Sequence, residues 1–286
     1  MGNFNTLIRF AVERENIREK HSVQSDNFTS DPILAKFRFC NIHRRDDRVS
    51  KWLLEHYYSQ DGNDVWFKAV IARLINWPPT LNYLMSRKLI PTFAGNFKPV
   101  EFIDALEDRM KDGVKMYSSA YIVYPTNVKG NSKAMNMCTH IILPLLENID
   151  SIREVKSKNS IELMTKELAK SFGIKTFIAG QVTADLTYIS GELNFATDLY
   201  SWAPMGPGSM RGLNRLFDRP IKHHMKEDDF LNELRQVHLK LIKEDPRFDD
   251  LTLHDAQNVM CEFDKYIRVA RNEGTPRQLY KSEWRF

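Results

Sequence analysis

A short stripe of polar residues near the C-terminal end of the sequence places a carboxylate beside an ammonium. Asn258, Glu262 and Lys265 recur at intervals of four and three between Leu253 and Arg271, so a helix there would carry them on one face. A carboxylate beside an ammonium suits a general base working next to a site for a departing anion. The opposite face repeats apolar residues at helical spacing, so the pattern also fits an ordinary surface helix with a solvated polar face.

Two further pairs of polar residues stand four positions apart. Asp264 and Arg268 predict an ion pair along the same C-terminal helix. Gln181 and Asp185 would place an amide and a carboxylate on one face if the segment 177–186 is helical. A catalytic pair and a capping or surface pair both fit this second pattern.

The stretch 198–216 predicts a helix-hairpin-helix. A helix-compatible run up to Trp202 is broken by a corner rich in proline and glycine, and Ser209 fits the N-cap of a second helix. Gly206 and Gly208 would let a partner approach closely, and the first amides of the second helix would lack an intrahelical acceptor.

Such amides attract anions, and a DNA phosphate would fit them. Arg211 and Arg215 stand four residues apart on one face of the second helix and would supply the opposite charge. A glycine-rich linker between two core helices is the alternative.

Residues 33–58 show the strongest helical pattern, and one side of that helix would be basic. The residues on this side are Arg38, Asn41, Arg44, Arg45 and Arg48. Contact with a DNA backbone and an ordinary solvated face fit this run of charge equally well.

Several chemistries are not expected. The sequence contains neither the P-loop pattern nor GxGxxG, so we expect no ATP hydrolysis and no dinucleotide. The three cysteines do not predict a disulfide scaffold, and the close Cys–His pairs lack a second pair at zinc-ligand spacing. We therefore expect no cofactor and no metal. A net charge of +4 favours a polyanionic partner.

Helical periodicity dominates the chain, and we predict a mainly α fold. Helices are expected at 4–20, 61–75, 99–110, 138–147 and 160–171, with one strand at Tyr121–Tyr124 and a basic loop at Pro125–Lys133. We predict one mostly helical domain over 1–286, or alternatively an N-terminal lobe (1–135) and a helix-hairpin-helix lobe (136–286). No apolar run reaches the roughly 20 residues of a membrane helix, and no signal peptide is expected.

Six segments together resemble one enzyme family. They are, in chain order, ERENI (13–17), TSDPIL (29–34), FRFCNIHRRDDRVS (37–50), QVTAD (181–185), GPGSMRGLN (206–214) and CEFDKY (261–266). These segments are similar to the alpha-glutamyl/putrescinyl thymine pyrophosphorylases, phage-associated enzymes that are also described as amino acid:DNA transferases. RFxNxxRxxDRV and GPGSxRGLN are the most specific strings.

The resemblance implies a helical protein related to helix-hairpin-helix DNA glycosylases. It implies double-stranded phage DNA as substrate, in which a separate base kinase has phosphorylated or pyrophosphorylated 5-hydroxymethyluracil. A free amine, an amino acid or a polyamine, would replace that leaving group, with the target base rotated out of the duplex. The same helical module occurs in 5-hydroxymethyluracil DNA kinases, and the lack of their P-loop domain favours a stand-alone transferase in the host cytoplasm.

The resemblance also suggests roles for individual residues. We expect Glu262 or Asp185 to be the base, and Lys265 with Arg44 or Arg45 to surround the leaving group. Asp198 is a further candidate, because related glycosylases use a carboxylate near the hairpin. They usually place it after the turn, where this chain offers Asp218, Asp228 and Asp229.

We expect Gln181, Trp202 and Asn258 to contact the substrate. A DNA glycosylase acting on a modified base and a non-catalytic DNA-binding module remain as alternative functions.

Overall fold

The computed structural model describes residues 2–22, 28–58, 64–118 and 131–280, and these form fourteen α-helices. The helices are α1 (Gly2–Ser22), α2 (Pro32–Lys36), α3 (Arg48–Trp52), α4 (Val65–Ile75), α5 (Pro78–Ser86), α6 (Pro99–Lys111), α7 (Lys133–Met137), α8 (Leu143–Glu147), α9 (Ile149–Ser157), α10 (Ile161–Ala169), α11 (Thr176–Thr187), α12 (Pro207–Leu216), α13 (Glu227–Glu244) and α14 (Leu253–Ala270). Short 3-10 turns (Arg44–Asp46, Ala94–Asn96, Pro246–Phe248) and π turns (Leu53–Tyr57, Cys138–Ile142) lie between them.

The mainly α prediction is confirmed. Within the described ranges, β structure is limited to one isolated bridge between Phe37 and Leu279. The strand predicted at 121–124 and most of the following basic loop lie outside the described residues. None of the described helices combines the length and the apolar composition needed to cross a membrane.

The chain divides into two compact units. The terminal unit combines residues 1–47 with 199–285, and the central unit is the continuous stretch 48–198. The predicted lobes divided the chain at residue 135, whereas the first 47 residues cluster with the C-terminal helices in one unit.

An aromatic core and a close helix pair hold the terminal unit together. The ring centroid of Phe10 on α1 lies 5.7 Å from that of Phe39, 5.1 Å from Tyr266 and 6.3 Å from Phe263. A Cβ added to Gly212 on α12 would lie 2.1 Å from the carbonyl oxygen of Met260 on α14. Glycine is therefore required there, because α12 and α14 approach too closely for any side chain.

The central unit is built around α4 and α11. Every residue of α4 is buried, as are residues 178–186 of α11, so α4 has no solvated face and α11 has little of one. The hydroxyls of Thr165 on α10 and Thr183 on α11 share a hydrogen bond of 2.8 Å. These three helices form the interior of the unit.

The predicted helix over residues 33–58 is wrong in its middle. α2 ends at Lys36, residues 37–43 are not helical, and helical structure resumes as a 3-10 turn at Arg44–Asp46 and as α3. Arg38, Asn41 and Arg45 therefore do not share a helix face. The reason is tertiary: side chains distant in the sequence accept the backbone hydrogen bonds of this stretch, as described below.

The predicted hairpin is also corrected. Residues 191–195 and 197–201 form turns instead of a helix, and α12 begins at Pro207 with Gly206 as its N-cap. Ser209 lies at the third helical position, where its Oγ accepts from the Gly206 amide at 3.3 Å. Proline fits the first helical position because that residue needs no amide donor.

Candidate functional site

The site is organised by the first turn of α14. Thr252 caps this helix, accepting from the Asp255 amide at 3.1 Å, while Asp255 Oδ2 accepts from the Thr252 amide at 3.0 Å. Asp255 Oδ1 then accepts from the backbone amide of Arg44 at 2.9 Å. The capping residues therefore both begin the helix and anchor a distant segment beside it.

That segment, residues 38–47, lies along α14 and contains no α-helix; its only helical turn is the 3-10 turn at Arg44–Asp46. The Cys40 amide donates to Glu262 Oε2 at 2.9 Å, and the Asn41 amide donates to Asp47 Oδ1 at 2.8 Å. Together with the bond from Arg44, these contacts satisfy backbone donors that a helix would otherwise satisfy. This explains why the helical pattern of the sequence is not realised here.

Glu262 and Lys265 form a nearly buried ion pair at the centre of the site. Lys265 Nζ lies 2.5 Å from Glu262 Oε2, and 4.5 Å from the centroid of the Phe39 ring. Burial opposes the charge of Lys265, but the Glu262 carboxylate outweighs it and raises the pKa of Lys265. Both contacts of Glu262 use Oε2, and among the described residues its Oε1 accepts no hydrogen bond.

Two arginines contribute to the same region: Arg14 contacts segment 38–47 from α1, and Arg44 is part of that segment. Arg14 on α1 donates from Nε to the Cys40 carbonyl at 3.1 Å and from Nη2 to the side-chain oxygen of Asn41. Arg44 Nη1 donates to Asn258 Oδ1 at 3.3 Å. Burial lowers the pKa of Arg14 from its ordinary value. The Glu262 carboxylate therefore has one ammonium as its direct partner and acts electrostatically on Arg14, while Arg44 contacts Asn258 one turn before Glu262 on α14.

This arrangement can do two things chemically. A carboxylate with an open oxygen can accept a proton, and clustered cations can stabilise an anion that departs beside it. The described residues contain no group of three or more histidine, cysteine, aspartate or glutamate side chains that could hold a metal ion. Two surface cavities, of about 500 and 210 Å³, lie in the central unit and are not lined by these residues.

Asn258, Glu262 and Lys265 share one stripe of α14, as their spacing predicts. The stripe is not the solvated face of an ordinary surface helix, since Asn258 is 6% exposed and Glu262 is 9% exposed. It packs against segment 38–47. The predicted ion pair between Asp264 and Arg268 is replaced by bonds from Arg211 Nε at 2.9 Å and Arg215 Nε at 2.7 Å to Asp264.

Asp185 lies in the central unit and is 1% exposed. Its partners are an arginine and a tyrosine of the same unit. Its carboxylate binds both Nε and Nη2 of Arg73, and it accepts from the Tyr58 hydroxyl at 2.7 Å. Gln181 shares its helix, as the spacing predicts, and is also buried. With its acceptor positions occupied, Asp185 is less suited than Glu262 to accept a proton.

Asp198 caps a helix. Its oxygens accept from the amides of Ile161 at 2.8 Å and Glu162 at 2.9 Å, and from the Ser160 hydroxyl at 2.7 Å. These bonds satisfy the free donors at the start of α10. The geometry of Asp198 is that of a helix cap.

The residues predicted to grip DNA at the hairpin are mostly packed inside the terminal unit. Gly208 and Ser209 are buried against α14, where a Cβ at Gly208 would lie 2.3 Å from Cys261 Sγ. Arg215 is 5% exposed and also binds Glu273 at 2.5 Å. Close helix packing accounts for Gly208, so its presence no longer argues for a phosphate site.

The remaining predicted residues are dispersed. Trp202 is buried and donates from Nε1 to Glu227 at 3.1 Å, whereas the half-exposed Arg45 pairs with Asp250 at 2.6 Å. Arg48 begins α3 in the central unit. Within the terminal unit, neither Trp202 nor Arg45 has a described contact with the Glu262 carboxylate.

Sequence reasoning missed two contributors to the site. Arg14 reaches it from α1, and nothing in the spacing of α1 indicates that contact. Asp255 carried a detectable signal, because Thr252 and Asp255 have the spacing of a capping box.

Comparisons with known proteins give one family and one relative. The sequence family described as "5-hmdU DNA kinase, helical domain" matches residues 2–275. A protein of Bacillus phage SP10 named "5-hmdU DNA kinase" is 24% identical over 288 residues. That alignment covers 92% of this chain and 44% of the relative, so the chain spans less than half of the relative's length. No solved structure matches.

Proposed function

The chain belongs to the family of the 5-hmdU DNA kinase helical domain, and from that premise we propose that it modifies 5-hydroxymethyluracil in phage DNA. The reaction is the replacement of a phosphate or pyrophosphate on the hydroxymethyl group by an amine. The relative's name supports DNA carrying this base as the substrate. The resemblance of the six sequence segments to the alpha-glutamyl/putrescinyl thymine pyrophosphorylases supports the transferase reaction.

The chemistry of this step has simple requirements. The amine nitrogen attacks the exocyclic methylene carbon, a C–N bond forms, and the C–O bond to the phosphoryl group breaks with its electron pair on oxygen. The nitrogen then loses one proton to a base. A base and a cation beside the leaving oxygen are what the active site must supply.

The pair formed by Glu262 and Lys265 meets these requirements, and its geometry is the observation on which the proposal rests. Glu262 Oε1 is the oxygen available to take the proton, because Oε2 already binds Lys265 at 2.5 Å and the Cys40 amide. Lys265 would transfer its interaction from Glu262 to the departing phosphate. Its raised pKa keeps it cationic at neutral pH.

Arg44 and Arg14 add positive charge next to this pair. In our proposal Arg44 orients the leaving group together with Lys265, because its guanidinium already lies beside Asn258 on the same helix stripe. Arg14 holds segment 38–47 in place through Cys40 and Asn41.

A second function has an observation in its favour. Glu262 and Lys265 neutralise each other and are mostly buried, which is also what a structural ion pair shows. In that case the chain would be a DNA-binding module without its own catalysis. DNA glycosylase activity is the third function that the assay described below can detect.

The test is incubation with duplex DNA containing phosphorylated or pyrophosphorylated 5-hydroxymethyluracil and a panel of amines, followed by nucleoside mass spectrometry. A nucleoside whose mass has increased by the amine supports the proposal. Release of the free base identifies a glycosylase. Retention of DNA without any product, under each leaving group and amine, identifies the binding module and contradicts the proposal.

A further inference from the structure

Two arginines stack on one tyrosine at the surface of the central unit. The guanidinium carbons of Arg87 and Arg109 lie 4.6 and 4.9 Å from the centroid of the Tyr83 ring. Tyr83 lies near the end of α5, Arg87 caps that helix, and Arg109 comes from the last turn of α6. A single aromatic ring therefore holds two cations from two helices.

Two lysines of the same unit also lie over aromatic rings, one lysine over each ring. Lys115 Nζ lies 3.8 Å from the Trp77 ring centroid, and Lys133 Nζ lies 3.7 Å from the Tyr117 ring centroid. Burial lowers the pKa of Lys133 and raises the pKa of Tyr117 to about 12, so this ring and ammonium are partly removed from water. Cations over aromatic faces are attracted by the ring quadrupole.

These groups are tied into one stretch of surface. The Thr80 hydroxyl on α5 donates to the Met116 carbonyl at 2.9 Å, which fixes the segment after α6 along α5. The hydroxyl of Ser132, the N-cap of α7, donates to Glu107 of α6 at 2.5 Å. We call the set the cation–aromatic surface; it comprises Trp77, Tyr83, Arg87, Arg109, Lys115, Tyr117 and Lys133.

Among the described residues, none of these four cations forms an ion pair within 4.0 Å. Other cations of the same unit do, and examples are Lys51–Glu55, Lys111–Asp108, Arg153–Asp64, Lys156–Glu192, Lys158–Glu154, Lys166–Glu162 and Lys170–Glu167. The aromatic rings thus position four positive charges without neutralising them. The field of this surface is available to an anionic partner.

We propose that the cation–aromatic surface binds the phosphate backbone of a nucleic-acid strand. A strand presents evenly spaced phosphates, and Trp77 and Tyr83 are separated by about 9 Å along α5, so a row of cations can meet successive phosphates. Guanidinium planes and aromatic rings can also stack with bases, whereas the acidic side chains of a peptide carry no aromatic ring for stacking. This surface belongs to the central unit, and the proposal does not depend on the reaction proposed for the pair formed by Glu262 and Lys265 in the terminal unit.

The test measures the affinity of the full chain for fluorescein-labelled duplex and single-stranded oligonucleotides at several salt concentrations. The variant combines Arg87→Gln, Arg109→Gln, Lys115→Gln and Lys133→Gln. We expect its Kd to rise about tenfold or more, with a salt slope that falls by about 0.9 per lost duplex phosphate contact, or about 0.7 for a single strand.

A matched control removes the same charge elsewhere in the unit. It combines Lys51→Gln, Lys158→Gln, Lys166→Gln and Lys170→Gln, all of which have carboxylate partners. We expect its Kd and salt slope to stay within twofold of the unmodified chain. An equal loss in both variants would mean that net charge alone matters, which would overturn the proposal.

A double variant and a competing anion complete the test. If the fourfold variant fails to fold, as judged by its thermal melt, Arg87→Gln with Lys115→Gln changes only the two exposed cations and should give about half the change in slope. Polyglutamate serves as a competing anion. Displacement of DNA by polyglutamate at equal charge concentration, or unchanged binding by the double variant, would exclude a nucleic-acid surface.

Discussion

At the scale of the residue, several carboxylates of this protein serve as acceptors for backbone amides far away in sequence. Glu262 binds the Cys40 amide, Asp255 binds the Arg44 amide, and Asp64 binds the Ala94 amide at 2.8 Å. Such charge-assisted bonds are about twice as strong as neutral ones. A candidate catalytic carboxylate must therefore be distinguished from these by an oxygen that remains open, and Glu262 Oε1 meets this condition.

The first prediction concerns Glu262. Glu262→Gln keeps an acceptor for the Cys40 amide but removes the base, so we expect amine transfer to fall about 100-fold or more, with DNA affinity within twofold. Nucleoside mass spectrometry measures product, and fluorescence anisotropy measures binding. Glu244→Gln is the control, because Glu244 forms an exposed pair with Lys240 on α13. Full activity in Glu262→Gln would remove this pair from the mechanism.

A second prediction concerns pH. Burial alone would raise the pKa of Asp64, but bonds from Arg153 and the Ala94 amide outweigh it and lower the pKa below 3.8. The stability that Asp64 provides is therefore complete above its ordinary pKa and is lost as the pH falls through its lower value in the folded state. We expect Asp64→Asn to lower stability by about 1 to 3 kcal/mol at pH 7.

The difference between Asp64→Asn and the unmodified chain should narrow in thermal melts as the pH falls below about 4. Asp150→Asn is the control, because Asp150 is 94% exposed and faces the same Arg153 at 3.7 Å. Its effect should stay below about 0.5 kcal/mol at every pH. A constant difference between Asp64→Asn and the unmodified chain at all pH values would contradict this account.

At the scale of the element, the contact between α12 and α14 decides how the terminal unit is built. Gly212 lies against the backbone of Met260, and Gly208 lies against the Cys261 side chain, so α12 contributes no side chain at either contact. This closeness lets Arg211 and Arg215 reach Asp264 from one helix to the other.

The third prediction tests that contact. Alanine is better than glycine in a helix by about 1 kcal/mol, but a Cβ at position 212 would overlap a backbone carbonyl that cannot rotate away. Overpacking costs about 3 kcal/mol or more in such a position, so we expect Gly212→Ala to destabilise the chain by about 2 kcal/mol net. Thermal or urea unfolding measures the change.

Gly206→Ala provides the comparison for this prediction. A Cβ there would lie 3.2 Å from the flexible end of Gln257, which can move aside. We expect a loss below about 1 kcal/mol. Equal losses at positions 206 and 212 would show that the backbone contact with Met260 does not limit the approach of the two helices.

Helices with local signals could be predicted from the sequence. Ser160 is the N-cap of α10, and Pro99 is the first residue of α6, as capping and proline rules indicate. The shared stripe of Glu262 and Lys265 follows from their spacing alone. Segment 38–47 could not be predicted, because distant carboxylates decide its conformation. The role of the glycines of α12 could not be decided from the sequence for a related reason, since glycine permits both a close ligand and a close helix.

At the scale of the whole molecule, the two units differ in the number of stretches of sequence that form them. The central unit is one continuous stretch, whereas the terminal unit needs residues 1–47 to complete the helices after 199. The aromatic contacts of Phe10 with Phe263 and Tyr266 cross that gap in sequence.

The fourth prediction follows from this difference. A fragment of residues 48–198 should fold by itself, giving a helical circular dichroism spectrum and a cooperative melt. A fragment of residues 199–280 should not, because it lacks the partners that α1 supplies to α12 and α14. Adding residues 1–47 as a separate peptide should restore helicity to the second fragment. A cooperative melt of 199–280 alone would contradict the division.

Because the terminal unit is formed by two distant stretches of sequence, its first helix is synthesised long before the helices against which it packs. About 180 residues separate the end of α1 from the start of α12. At roughly 5 to 20 residues per second, translation needs about 10 to 40 seconds to cover that distance. Leu7, Phe10 and Ile17 of the nascent chain therefore remain uncovered by α12 and α14 until the central unit has been synthesised, so we expect α1 to be bound by chaperones during synthesis.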